Sequence, residues 1–86
     1  MRIIRLKIKP KYFNLQLQDK KNFEIRVNDR DFKEGDILCL EEYNKDYTGR
    51  FIHVEVMCVV ENYCKNGYVT LGTKKRLDLG AQVTLM

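Results

Sequence analysis

Apolar and charged residues alternate one for one through much of this chain, and a repeat of two is that of a β-strand, not of a helix. In the first such segment Ile4, Leu6 and Ile8 share one face and Arg5, Lys7 and Lys9 the other, which predicts a strand with a basic outer face. Phe23, Ile25 and Val27 alternate in the same way with Glu24, Arg26 and Asn28. This second segment reads as a half-buried strand with Phe23 and Ile25 toward the core. Glu24 and Arg26 are then at least partly exposed, about 6–7 Å apart on the polar face. Lys21 falls out of the alternation and is expected in the turn ahead of the strand, within reach of that face.

Pro10 suits the first turn of a helix, which Tyr12, Phe13, Leu15, Gln16 and Leu17 continue for one to two turns. Residues 28–36 carry turn chemistry, with Phe32 pinning the loop to the core and Gly35 supplying a positive φ ahead of a third strand, Ile37–Tyr43. A polar connection with Thr48-Gly49 near its turn leads to a long strand over residues 51–61. There Ile52, Val54, Val56, Cys58 and Val60 share one face. Tyr68-Val69-Thr70-Leu71 is a fifth strand and Gln82-Val83-Thr84-Leu85 a sixth. Gly72-Thr73-Lys74-Lys75 lacks the Gly-x-x-x-x-Gly-Lys spacing of a phosphate loop and is read as a turn. Five to six strands with one short helix predict a mainly β fold of the α+β class, a small barrel of mixed sheet.

With 86 residues, 44% of them apolar and 33% charged, the chain is expected to form a single globular domain over residues 1–86. No apolar run approaches the ~18–20 residues of a membrane span, and the alternating N-terminus lacks the apolar stretch of a signal peptide. A cytoplasmic protein with no membrane partner is the expectation. Cys39, Cys58 and Cys64 are odd in number and show no Cys-x-x-Cys spacing, so neither a disulfide framework nor a zinc site is favoured; Cys39 and Cys58 are expected to be partly buried thiols. His53 is the only histidine. No metal or cofactor is therefore expected. Net charge is +4, but residues 1–35 carry ten Lys/Arg against five Asp/Glu, whereas residues 36–86 carry six against seven. A basic N-terminal half suits an anionic partner such as nucleic acid.

Lys21, Glu24 and Arg26 stand at the spacing Lys-x-x-Glu-x-Arg. They are followed by Asn28-Asp29-Arg30-Asp31-Phe32-Lys33-Glu34-Gly35-Asp36 and by Tyr47-Thr48-Gly49-Arg50. Over roughly residues 2–63 the chain resembles the ASCH domains of the PUA-like superfamily, whose motif is Gly-x-Lys-x-x-Glu-x-Arg, and within them a small uncharacterised family of bacteria, archaea and phages. Asp19 stands where that motif has glycine. The resemblance implies a PUA-like small β-barrel with a short helix after the first strand, and motif residues lining a cleft between helix and barrel.

In a binding role Lys21 and Arg26 would engage phosphates, Arg26 in bidentate geometry, while Glu24 orients them or accepts from a base or ribose hydroxyl. Arg30 and Arg50 are further candidates, and Tyr12, Tyr43, Tyr47 and Tyr68 offer stacking faces. The partner would be RNA or a nucleotide-like ligand, with a monomer favoured over an oligomer. Two alternatives stand beside this. One is a small amidohydrolase for a modified nucleoside, with Lys21 as nucleophile or base and Glu24 as proton shuttle. ASCH-related enzymes that hydrolyse acylated nucleosides are longer and typically place a hydroxyl residue where Glu24 stands. The other is an accessory domain that binds protein. The plainest reading of Glu24 is a pair with Arg26 or Lys21 on a solvated strand face, worth about 0–1 kcal/mol.

Overall fold

The computed structural model describes residues 2–61 and 65–84. Its elements run β1 (Ile3–Ile8), α1 (Pro10–Leu17), β2 (Phe23–Val27), β3 (Ile37–Tyr43), β4 (Tyr47–Val60) and β5 (Tyr68–Lys75), followed by a short 3-10 turn at Leu77–Leu79. The five strands form one sheet in the order β1-β3-β4-β5-β2, with β1 parallel to β3 and every other neighbour antiparallel. The sheet curls strongly into a half-barrel. Its two edges, β1 and β2, do not pair with each other, and α1 connects them in sequence.

The core fills the concave side. Ile4 and Ile8 of β1, Leu38 and Leu40 of β3, Ile52, Val54 and Val56 of β4, and Val69 and Leu71 of β5 are buried together with Phe13 and Phe32. Phe32 thus anchors the loop ahead of β3, and Gly35 takes φ +89° at the bend that starts the strand. Helix α1 starts as its proline dictates. Lys9 is extended (φ −69°, ψ 148°) and accepts the first helical hydrogen bond from Phe13 N–H at 2.9 Å. The helix ends at Leu17 with Gln18 as its cap, and Asp19 just beyond, at φ +58°, takes the chain out of the right-handed region. Lys75 of β5 ties down that end, donating to the Leu17 carbonyl at 3.0 Å and pairing with Asp19 at 3.1 Å.

Strand β2 is where the structure overturns the expected orientation. Phe23 and Ile25 are exposed, whereas Glu24 is buried and Arg26 half-buried. The ladder explains it: Glu24 pairs with Leu71 and Arg26 with Val69, both fully buried, so the charged face of β2 looks into the half-barrel. Phe23 and Ile25 lie on the convex side with Gly72 and Thr70.

Four smaller expectations are corrected. The β3–β4 turn lies at Asn44-Lys45-Asp46, closed by the Tyr43–Tyr47 pair with Lys45 at φ +64°, so Thr48-Gly49 belongs to β4, where Gly49 absorbs φ +94°. A bulge between Val56 and Cys58 turns Val59 toward the core and leaves Cys58 and Val60 exposed, because one extra residue reverses the alternation. Gly72-Thr73-Lys74-Lys75 continues β5, paired with β4 throughout. Of the expected sixth strand only Gln82 forms a bridge, to Phe51; Leu85 lies outside the described residues. Cys64 lies outside them as well, and Cys39 is half-buried.

Candidate functional site

The open seam of the half-barrel forms a cleft of ≈ 640 Å³, in the range of small-molecule sites. Lys7 and Ile8 of β1, with Lys9 at the start of α1, form one wall, Tyr12 and Leu15 of α1 the top, and Lys20, Lys21 and the first four residues of β2 the other wall, with Tyr43 beside Lys7. The cleft follows the free edge of β2, so residues of both its faces contribute. Its charge is one-sided, with five cations and a single carboxylate, Glu24. Three aromatic rings lie among them. The Lys21 ammonium sits 5.0 Å from the Phe23 ring centroid and 5.5 Å from that of Tyr12, and Lys7 sits 4.3 Å from that of Tyr43.

The motif residues meet around the Glu24 carboxylate. Lys21 donates to Oε1 at 2.9 Å and to the Phe23 carbonyl at 2.7 Å. Arg26 Nε donates to Oε2 at 3.2 Å. Gln16, fully buried on the inner face of α1, donates its amide to Oε1 at 3.0 Å and to the Phe23 carbonyl at 3.2 Å. A carboxylate with 5% side-chain accessibility is thus satisfied from the helix, the turn and its own strand. Sequence reasoning missed Gln16; its signal was a polar residue three positions after Phe13, on the face the helix buries. Asp19 occupies the glycine position of the motif in the left-handed conformation, which glycine adopts freely and aspartate tolerates.

Among the other expected residues, Tyr12 and Tyr43 line the cleft. Tyr47 packs edge-on against Tyr43 at 5.1 Å, and Tyr68 starts β5 at a different place on the surface. Arg30 is exposed, near Asp29 at 3.9 Å, and does not line the cleft. Arg50 is a structural residue, donating to Glu42 through Nε and Nη2 at 2.9 and 2.7 Å and to Asn14 at 2.9 Å, and lying 4.6 Å from the centroid of Phe13. This fork beneath α1 holds the Glu42 carboxyl below its ordinary pKa, chiefly through the Arg50 hydrogen bond. His53 is half-buried, with Nδ1 2.7 Å from the Gly80 carbonyl oxygen. Cys39 is its cross-strand neighbour, but burial pushes that thiol pKa up, away from the thiolate a Cys-His pair would use. Among the described residues no cluster of His, Cys, Asp and Glu could hold a metal, and no helix is long and apolar enough to cross a membrane.

Residues 3–73, which contain every cleft residue, match the family described as domain of unknown function DUF3850. The chain belongs to that family. It is also 36% identical over 61 residues to a protein of Escherichia phage P2 described as "Uncharacterized 12.9 kDa protein in GpA 3'region", a match covering 70% of this chain and 56% of the relative. The chain thus spans about half the length of that phage protein. The match to DUF3850 takes in β1 to β4 and most of β5, and ends before the 3-10 turn at Leu77–Leu79. The cleft and its motif cluster therefore lie within the DUF3850 portion of the chain.

Proposed function

We propose that this DUF3850 chain is a cytoplasmic binding module for RNA or a nucleotide-like ligand, seated in the cleft between β1, α1 and β2, and that it belongs to the ASCH branch of the PUA-like superfamily. The observation that carries the binding reading is the cleft's composition: five cations against one carboxylate, interleaved with Tyr12, Phe23 and Tyr43. Phosphates need the cations, and bases need flat apolar faces that tolerate any sequence. The superfamily reading is supported by Lys21, Glu24 and Arg26 gathering into one cluster under α1, with Asp19 left-handed at the position of the motif's glycine.

Titration of a fluorescent single-stranded RNA of about 10 nucleotides, followed by anisotropy at about 50 and 200 mM salt, tests the binding reading. Affinity should fall with salt by about 0.7 log units per log unit of salt for each phosphate engaged. Lack of binding at the lower salt, or binding indifferent to salt, refutes it. Incubation with acylated nucleosides separates it from the amidohydrolase reading, because turnover that disappears in Lys21→Ala would show chemistry where binding alone is proposed.

A further inference from the structure

The five cations of the cleft are of two kinds. Lys21 and Arg26 form its floor, with side chains 12% and 23% accessible, and both are already neutralised in part by Glu24. Lys7, Lys9 and Lys20 form its rim and are exposed, and none of them makes an ion pair among the described residues. The carboxylates closest to them in sequence or ladder are committed elsewhere. Glu41, the ladder partner of Lys7, is held by Arg5 at 2.9 Å, and Asp19, next to Lys20, by Lys75 at 3.1 Å.

Resting on the nucleic-acid reading above, we propose a division of labour: Lys7, Lys9 and Lys20 hold the phosphates of a single-stranded RNA segment, and the Lys21–Glu24–Arg26 floor contacts an uncharged base. Counterion release is the source of phosphate affinity, and it comes from cations whose counterions are mobile. Among the described residues the rim lysines have no carboxylate partner, so their counterions are mobile ones. The floor cations have Glu24 as a fixed one, so engaging a phosphate there means disrupting a partly buried pair. Lys7 lies on β1 and Lys9 just beyond its end, in an extended residue that keeps the two about 6–7 Å apart along the chain, and Lys20 stands on the opposite wall, so a backbone can be held from both sides. The floor keeps donors in reserve. Lys21 has one hydrogen beyond those given to Glu24 and the Phe23 carbonyl, and the Arg26 guanidinium has N–H groups beyond its contacts with Glu24. Such donors suit the carbonyl and ring-nitrogen acceptors of a base stacked on Phe23 or Tyr12. Gln16 and Glu24 are positioning residues: buried, they hold the two donors in place.

The slope of affinity against salt separates the two kinds of cation. With the same labelled RNA of about 10 nucleotides, the double variant Lys9→Gln/Lys20→Gln should lose about 1.4 of that slope, two phosphates' worth. Arg26→Gln should weaken binding at every salt concentration with the slope unchanged and should alter preference among homopolymer competitors. Rim variants that keep the wild-type slope overturn the proposal, as does an Arg26→Gln slope that falls by a full phosphate. Both rim positions are exposed, so the double variant decides the matter even if Arg26→Gln melts early. Wild-type protein that binds no RNA fails differently, removing the nucleic-acid reading and this division of labour together.

Discussion

Truncating Ile25 should harm this domain less than truncating Glu24, the reverse of what the apolar alternation of β2 suggests. Ile25 is 57% exposed, and full burial of such a side chain is worth about 1.5–3 kcal/mol, so Ile25→Ala should cost about 1 kcal/mol and leave no closed cavity. Glu24 is 4% exposed and receives Lys21, Arg26 and Gln16. Deleting one member of a buried ion pair costs about 3–5 kcal/mol; the accessibility left to Lys21 and Arg26 lets them rehydrate in part, which lowers the figure for Glu24→Ala to about 2–3 kcal/mol. Urea denaturation followed by far-ultraviolet circular dichroism reads the difference. With a slope near the small-protein value of about 1 kcal/mol/M, the midpoint should fall by about 2–3 M for Glu24→Ala and about 1 M for Ile25→Ala. A larger loss for Ile25→Ala than for Glu24→Ala would mean that β2 presents its other face to the half-barrel, and the cleft as described would not exist.

The left-handed backbone at Asp19 makes Asp19→Gly tolerable, with only the exposed pair to Lys75 at stake, whereas the β-branched Asp19→Val should cost about 1–2 kcal/mol; thermal melts of the two variants should differ by several degrees in that order. Acid should destabilise the protein through two carboxyls. Asp36, mainly through its Arg2 hydrogen bonds, and Glu42, mainly through those of Arg50, are held below their ordinary pKa values when folded, so at low pH the unfolded chain binds protons that the folded one does not. Their contribution is complete above the ordinary carboxylate range of about pH 4 and is lost as pH falls through the depressed values. Melts from neutral pH down to about pH 3 should show this decline, and it should flatten in Asp36→Asn/Glu42→Gln, which carries the loss at every pH.

Five strands, the helix and their order along the chain were legible because period-two alternation and a proline at the first helical position are local signals, whereas the sixth strand expected at Gln82 is only a bridge. Ile4, Leu6 and Ile8 face the core as their spacing requires, and Lys21 reaches Glu24 from the turn as expected. Features decided by the partner strand were not legible. The bulge after Val56 is a mismatch between β4 and β5, and nothing in the run from Ile52 to Val60 announces it. Gly72-Thr73-Lys74-Lys75 carries turn-like residues but becomes strand because β4 offers all four a ladder, with β2 pairing Gly72 on the other side. Arg50 stands within a motif, and only the fold reveals that its donors go to Glu42, Asn14 and the Val83 carbonyl.

The inversion of β2 has a more general cause, and it bears on where the site lies. Alternation fixes which residues share a face but not which face turns inward, and that choice is ordinarily settled by the hydrophobic effect in favour of the apolar side. Here the polar side won, because β2 is an edge strand whose concave face lies under α1, where Gln16, Lys21 and Arg26 satisfy a carboxylate that would otherwise be stranded. The same choice leaves Phe23 and Ile25 uncovered beside the cleft, which stability alone does not favour. A strand that buries its charges and exposes its apolar residues departs from the folding pattern on both faces at once, and such departures concentrate where function requires them. The floor of paired cations and the uncovered aromatic wall are therefore two results of one orientation, and a ligand with both polar and flat apolar surface is what the two together would accommodate.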